Sequence, residues 1–109
     1  MKGKMVTVQP TGKLIVKDYN GEIPLEDLQQ GVEGYLEAVP CFDYYMHEDK
    51  LHRCVAFCNE EGKLSSLPVN IVANFLWGIS LARHKMDLDD TLVGNIVIVF
   101  GDKEFMEAL

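Results

Sequence analysis

Five side chains that could ligate a soft metal ion lie close together in this sequence: Cys41, His47, His52, Cys54 and Cys58. Structural zinc is usually held by four Cys or His side chains arranged as a tetrahedron. The spacing here matches no zinc finger, ribbon or knuckle, and the chain has no Cys-x-x-Cys pair. Cysteine is also one of the residue types most often buried without a metal. We therefore expect these thiols to be core residues, and we predict no bound metal and no cofactor.

A thiol beside an imidazole could also act as a nucleophile with its base. That chemistry requires a stabilised thiolate and a third group that orients the imidazole. The sequence carries no signature of such an arrangement. A small metal-dependent or thiol-dependent enzyme centred on Cys54, Cys58 and His52 is therefore the alternative hypothesis, and we favour a protein that is not an enzyme.

Phosphate binding through a glycine-rich loop is not indicated. The nine glycines are dispersed and form neither a Gly-x-Gly-x-x-Gly nor a Walker pattern. A nucleotide-like ligand could still be held by stacking on an aromatic ring and by side-chain hydrogen bonds. The candidate ligand-binding residues are Tyr35, Glu37, Asn59 and Asn70, of which Asn70 has a competing role as the N-cap of a helix.

Charge and length exclude several classes of partner. The chain has 109 residues and a net charge of -7, and it has no cluster of Lys and Arg with which to bind nucleic acid or an anionic membrane. The longest apolar stretch, residues 71–82, is interrupted by Asn74 and Ser80 and is too short to cross a bilayer. No export signal is recognised near the start, and the odd number of cysteines favours free thiols. We expect a cytoplasmic protein.

The elements that must position these residues follow from hydrophobic periodicity and turn signals. Residues 4–9 and 13–18 predict a hairpin around Pro10 and Gly12, and Asp102 can cap a short terminal helix. Further strands are predicted over residues 35–39, 51–58 and 93–100, a short helix over 24–34, a long helix over 68–83, and a polar connection over 41–50. We predict one α+β domain over residues 1–109, with a mainly antiparallel mixed sheet of about five strands, the long helix packed on one face and one or two short helices.

The long predicted helix is apolar on more than one side. Val69, Val72 and Leu76 form one apolar side, and Ile71, Phe75 and Ile79 form a second. Such a helix has more apolar surface than one small sheet covers, and large exposed apolar patches usually mark partners. We predict a homo-oligomer with interface residues Phe75, Trp77 and Leu81. The alternative is that the 41–50 connection covers this surface.

Several landmarks resemble a family of small phage, mobile-element and large-virus proteins that is known as a domain of unknown function. They are Gly34-Tyr35-Leu36-Glu37, Asn59-Glu60-Glu61-Gly62-Lys63, Leu67-Pro68-Val69-Asn70 and residues 93–99. The chain departs from the family at Glu33, where a glycine is usual, and at Ile71, where an arginine is common. The resemblance implies no reaction and no cofactor, but it implies a viral or mobile-element setting.

These observations favour a non-catalytic binding protein. We expect it to act in the host cytoplasm by occupying or sequestering a host protein or a small nucleotide-like molecule.

Overall fold

A computed structural model describes all residues from 1 to 109. The strands are β1 (Gly3–Val8), β2 (Leu14–Tyr19), β3 (Leu36–Ala38), β4 (Tyr44–His47), β5 (Lys50–Arg53), β6 (Val55–Asn59) and β7 (Ile96–Gly101). The helices are α1 (Leu25–Val32), α2 (Ile71–Arg83) and α3 (Lys103–Glu107). The predicted α+β class and the five-stranded sheet are confirmed.

The main sheet has the strand order β2-β1-β7-β6-β3, and all of its pairings are antiparallel. β7 lies at the centre, and all its residues except Gly101 are buried. It is apolar at successive positions because both faces of the sheet are covered, whereas a half-covered strand would alternate with polar residues.

Each face of the sheet has its own core. On one face, Ile96, Ile98 and Phe100 of β7 pack with Ala73 and Trp77 of α2. On the other face, Val97 and Val99 pack with α1 and α3 through Leu28, Val32 and Phe105. The long helix therefore packs on one face as predicted, and the two short helices share the opposite face. None of the three helices has the length and hydrophobicity that a bilayer-spanning segment requires.

The segment expected to be a polar connection is instead the first strand of a second, two-stranded sheet. β4 and β5 pair around Glu48 and Asp49, whose φ angles are 49° and 63°. A two-residue hairpin turn with two positive φ angles usually carries Gly or Asn, so these acidic residues do not signal it. The strand predicted over 51–58 is also divided at Cys54, into β5 and β6.

The β4–β5 hairpin is fastened to the C-terminal half of α2. The backbone N–H of Asp43 donates a 2.9 Å hydrogen bond to the Ser80 hydroxyl, and the Asp43 carboxylate contacts the His84 ring. The Arg83 guanidinium lies 4.5 Å from the centroid of the Tyr44 ring. The hairpin consequently covers the part of α2 that contains Leu81.

Candidate functional site

A cleft at the β3 edge of the main sheet contains two of the predicted ligand-binding residues, Glu37 and Asn59, together with several charged side chains. We call it the edge cleft. It has a volume of about 130 Å³. Its charged residues are Glu37, Glu60, Lys63 and Asp90, and its other lining residues include Val39, Pro40, Cys58, Asn59, Leu64, Trp77 and Leu92.

Two strands supply one wall of the edge cleft. Glu37 on β3 lies directly opposite Cys58 on β6 in the antiparallel register. Directly opposed residues share a face of the sheet, so the carboxylate and the thiol lie on the same side. The backbone N–H of Glu60 donates a 2.9 Å hydrogen bond to the Tyr35 carbonyl, which holds the start of the following turn against β3.

The facing wall is the segment from Asp90 to Val93, which Asn74 of α2 and Asn70, just before the helix, hold in place. The Asn74 side chain accepts a hydrogen bond from the Leu92 N–H and donates one to the Leu92 carbonyl, both at 2.9 Å. The Asn70 backbone N–H donates to the same carbonyl at 3.0 Å. Lys63 forms an ion pair with Asp90 and so joins the two walls.

The base of the edge cleft is apolar. Trp77 is only 2% exposed, and its indole N–H donates a 2.8 Å hydrogen bond to the Pro40 carbonyl. Val39 and Leu92, also buried, complete this floor. A ligand in the cleft would meet apolar groups below and charged groups at the rim, the usual division in small-molecule sites.

Cys58 is the reactive-type group in the edge cleft, and its environment keeps it protonated. Burial raises the pKa of the Cys58 thiol, and the negative charge of Glu37 raises it further. Lys63 acts in the opposite direction but more weakly. A nucleophilic cysteine needs a lowered pKa, so this thiol is suited to packing and weak hydrogen bonding at neutral pH.

Cys54 and His52 both have packing roles in the structure. Cys54 is 5% exposed, its thiol donates to the Phe42 carbonyl at 3.5 Å, and burial raises its pKa to about 12. His52 lies against the Phe100 ring, with 4.5 Å between ring centroids. No group of three or more His, Cys, Asp or Glu side chains is placed to hold a metal ion.

Two of the four candidate ligand-binding residues line the edge cleft. Glu37 and Asn59 line the edge cleft, although the Asn59 amide also donates to the carbonyls of Val32 and Glu33 at the end of α1. Tyr35 is 67% exposed and lies outside the cleft.

Asn70 is fully buried and acts as the N-cap of α2, which corrects its assignment as a ligand contact. Its side-chain oxygen accepts from the Ala73 N–H at 3.0 Å, and its amide donates to the carbonyls of Val8 and Gly94 at 2.8 Å each. Both donors are used, so none is free for a ligand.

Two of the three predicted interface residues are also buried within the single chain. Trp77 and Leu81 are 2% and 8% exposed, because the segment around Pro40 and the β4–β5 hairpin cover that side of α2. This is the covered arrangement that the sequence left open as the alternative. Phe75 is 69% exposed and remains available to a partner.

The residues that sequence reasoning missed are Lys63 and Asp90. Neither was a candidate site residue, and they are 27 positions apart, so no local pattern indicates that they meet. The only available signal was that Lys63 ends one of the motifs that carry the family resemblance.

Comparison with known proteins identifies the family but no activity. No curated protein and no solved structure significantly matches this chain. A family model described as a domain of unknown function, DUF3846, matches residues 1–108. The resemblance to an uncharacterised domain family is thus confirmed and extends over almost the entire chain. This chain belongs to the DUF3846 family.

Proposed function

We propose that this protein is a non-catalytic binding protein whose edge cleft receives a small cationic group. The group is an amine or guanidinium, either free or at the end of a Lys or Arg side chain of a partner protein. The observation that carries the proposal is the composition of the cleft: three carboxylates, one ammonium and a protonated thiol surround an apolar floor.

Charge selects the ligand class. The carboxylates of Glu37, Glu60 and Asp90 outnumber the single cation, Lys63, which is already paired with Asp90. A phosphate group in this place would meet like charge, whereas an ammonium would gain charge-assisted hydrogen bonds. This argument disfavours the nucleotide-like ligand suggested by the sequence, and it favours an amine with a short aliphatic stem.

Size points to a single group rather than an extended ligand. A volume of about 130 Å³ is well below the roughly 300 to 1,000 Å³ of sites that enclose a whole drug-sized ligand. That space suits the end of a Lys or Arg side chain with part of its stem over Trp77 and Leu92. A basic side chain of a host protein is therefore the occupant that we favour, and it agrees with the viral or mobile-element setting implied by the resemblance.

The test is calorimetric titration with a small panel: a diamine, an arginine ester and a short Lys-containing peptide, with a nucleoside monophosphate as contrast. We expect a cation to bind and Glu37→Gln to weaken it by about tenfold, the value of one charge-assisted contact. The matched control is Glu22→Gln, which removes an exposed carboxylate outside the cleft. Absence of cation binding, or binding that is equally strong in Glu37→Gln, would contradict the proposal.

The enzyme hypothesis centred on Cys54, Cys58 and His52 has less support. Burial raises the pKa of both thiols, and His52 packs against an aromatic ring of the core. The enzyme hypothesis would be restored by a measured catalytic turnover that is lost in a folded Cys58→Ser variant.

A further inference from the structure

The side of α2 that faces away from the sheet is apolar along its whole length. The helix packs on the sheet through Ala73, Trp77 and Leu81. The opposite side consists of five exposed residues, Ile71, Phe75, Gly78, Ile79 and Ala82. We call these five residues the outer face of α2. Ile71, Phe75 and Ile79 are 74%, 69% and 49% exposed, so three large apolar side chains of one helix are in contact with solvent.

The outer face of α2 carries no charged group. From Val69 to Ala82 the sequence contains no Asp, Glu, Lys or Arg, whereas the solvent side of a surface helix is usually polar or charged. The whole chain has a net charge of -7, so two copies repel each other over most orientations. The outer face is therefore a place where two copies can meet without opposing like charges.

Gly78 is a second feature of this face that the single chain does not explain. It lies in the middle of α2, where glycine destabilises a helix relative to alanine. Its φ angle is not positive, and a Cβ at this position would have no neighbouring atom within 4 Å. Neither backbone conformation nor packing within the chain requires a glycine here. Its missing side chain leaves a hollow on the outer face between Phe75 and Ala82, which are three and four residues away.

The spacing of the outer face is complementary to itself when two helices run antiparallel. Four of its residues follow one another at intervals of four, three and four positions, the spacing of a helix–helix seam: Ile71, Phe75, Gly78 and Ala82. A two-fold axis between two antiparallel helices places Ile71 opposite Ala82 of the second copy, and Phe75 opposite Gly78. Each layer then pairs a large side chain with a small one, as close packing requires. A parallel pair would instead place two Phe75 rings in one layer and two glycines in the next.

The area of the outer face is that of a weak dimer. The exposed fractions of Ile71, Phe75 and Ile79 correspond to roughly 300 Å² of apolar side-chain surface per copy. With the flanking, partly buried Val72 and Leu76 and a polar rim, two copies bury on the order of 1,000 Å² together, the lower limit for a specific interface. We therefore expect a dissociation constant in the micromolar range.

We propose that the protein forms a two-fold homodimer through the outer faces of two antiparallel α2 helices, with Phe75 of each copy packed over Gly78 of the other. The two main sheets lie behind their own helices, on the outer sides of the pair. The edge cleft has Trp77, on the buried side of α2, in its floor. The cation site proposed above therefore takes no part in this contact.

Sedimentation equilibrium of the full chain over about 1 to 500 μM tests the proposal, because this range brackets a micromolar dissociation constant. The average mass of the wild type should rise from 12.3 kDa toward twice that value. Phe75→Glu should stay monomeric, because it places a charge in an apolar contact. Leu25→Glu is the matched control, since it introduces the same charge at a 58% exposed leucine of α1, on the opposite face of the sheet. It should associate as the wild type does.

Gly78→Leu separates this geometry from a surface that binds any apolar partner. Leucine favours a helix more than glycine does, so the monomer should be at least as stable as the wild type in urea. The added leucine also enlarges the apolar surface, which would strengthen non-specific association. In the antiparallel pair it occupies the space of Phe75 of the second copy, and the dissociation constant should rise by about tenfold or more.

A wild type that stays monomeric over the whole range, or a folded Gly78→Leu that associates as strongly as the wild type, overturns the proposal. The first result would leave the outer face of α2 to a different protein partner. The cation titration of Phe75→Glu reports separately on the edge cleft and should match the wild type.

Discussion

At the scale of single residues, Asn70 shows how many parts of the fold one buried amide can join. Its three side-chain hydrogen bonds reach α2, the end of β1 and the turn at Gly94. These segments are distant in the sequence, and the side chain is 0% exposed. No water can replace the bonds, so each group left unpaired would carry its full desolvation cost.

We predict that Asn70→Ala lowers the free energy of unfolding by about 3 to 5 kcal/mol, since it leaves one donor and two carbonyls unpaired and removes a helix cap. Asn70→Asp should also be destabilising. Its carboxylate can still cap the helix, but it cannot donate to the carbonyls of Val8 and Gly94 and is repelled by them. Urea unfolding measures both, with the exposed Asn20→Ala as control. An Asn70→Ala protein as stable as Asn20→Ala would refute this role.

Glu33 is a second residue whose backbone conformation matters more than its side chain. It follows α1 with φ 62°, the left-handed conformation that favours glycine. We predict that Glu33→Gly raises the free energy of unfolding by about 0.5 to 1 kcal/mol, because relief of the left-handed conformation exceeds the added entropy of the unfolded chain. Glu33→Ala keeps the unfavourable φ and should give no such gain in the same urea experiment.

At the scale of elements, α2 has one side that belongs to the core and one that does not. We predict that Trp77→Ala costs about 3 to 5 kcal/mol, because it leaves a large cavity and an unpaired Pro40 carbonyl. Loss of Trp77 should therefore destabilise the monomer itself. Phe75→Ala, at a concentration that holds the chain as a monomer, should change stability by less than about 0.5 kcal/mol. Thermal unfolding followed by far-UV circular dichroism compares the two, and equal effects would contradict the assignment.

The β4–β5 hairpin makes stability depend on pH through His52. Partial burial lowers the pKa of His52 below its ordinary value, and the charges of Lys50 and His47 lower it further. The unfolded chain then binds the proton more readily than the folded one, so stability is complete above the unfolded pKa near 6.5 and decreases as pH falls through that value toward the folded pKa.

We predict that the free energy of unfolding falls between about pH 7.5 and pH 5.5 and that His52→Gln removes part of this fall. Urea unfolding of both proteins at one fixed concentration measures the difference. The carboxylates of Asp27 and Asp102 have lowered pKa values and so act only at more acidic pH. An identical pH profile in the two proteins would exclude His52 as the cause.

At the scale of the whole molecule, association and unfolding are linked. If two copies pair through the exposed side of α2 that contains Phe75, unfolding also separates them, and the melting temperature rises with protein concentration. We predict this rise for the wild type and for the control Leu25→Glu, which places the same charge at an exposed leucine of α1, and its absence in Phe75→Glu. Differential scanning calorimetry over a hundredfold range of concentration measures it. A melting temperature that is independent of concentration in all three proteins would contradict the dimer.

The sequence by itself determined the features that depend on neighbouring residues. The apolar run of β7, the alternation of Cys54, Ala56 and Cys58 against Phe57, and the Asn70 cap of α2 each follow from local periodicity or local hydrogen bonding. Family membership followed from short motifs in the same way. A pattern read over a few residues is sufficient in such cases, because the backbone period decides which side chains share a face.

Only the tertiary structure decided how the candidate site is assembled and which apolar side of α2 is free. The Lys63–Asp90 pair, the burial of Trp77 beneath Pro40 and the hairpin turn at Glu48 and Asp49 depend on contacts between distant segments, or on a turn conformation that its residues do not favour locally. A helix with two apolar sides can be buried on either one. The buried side is the one that other segments contact with close packing and hydrogen bonds. Those contacts form only when distant segments come together in the folded structure.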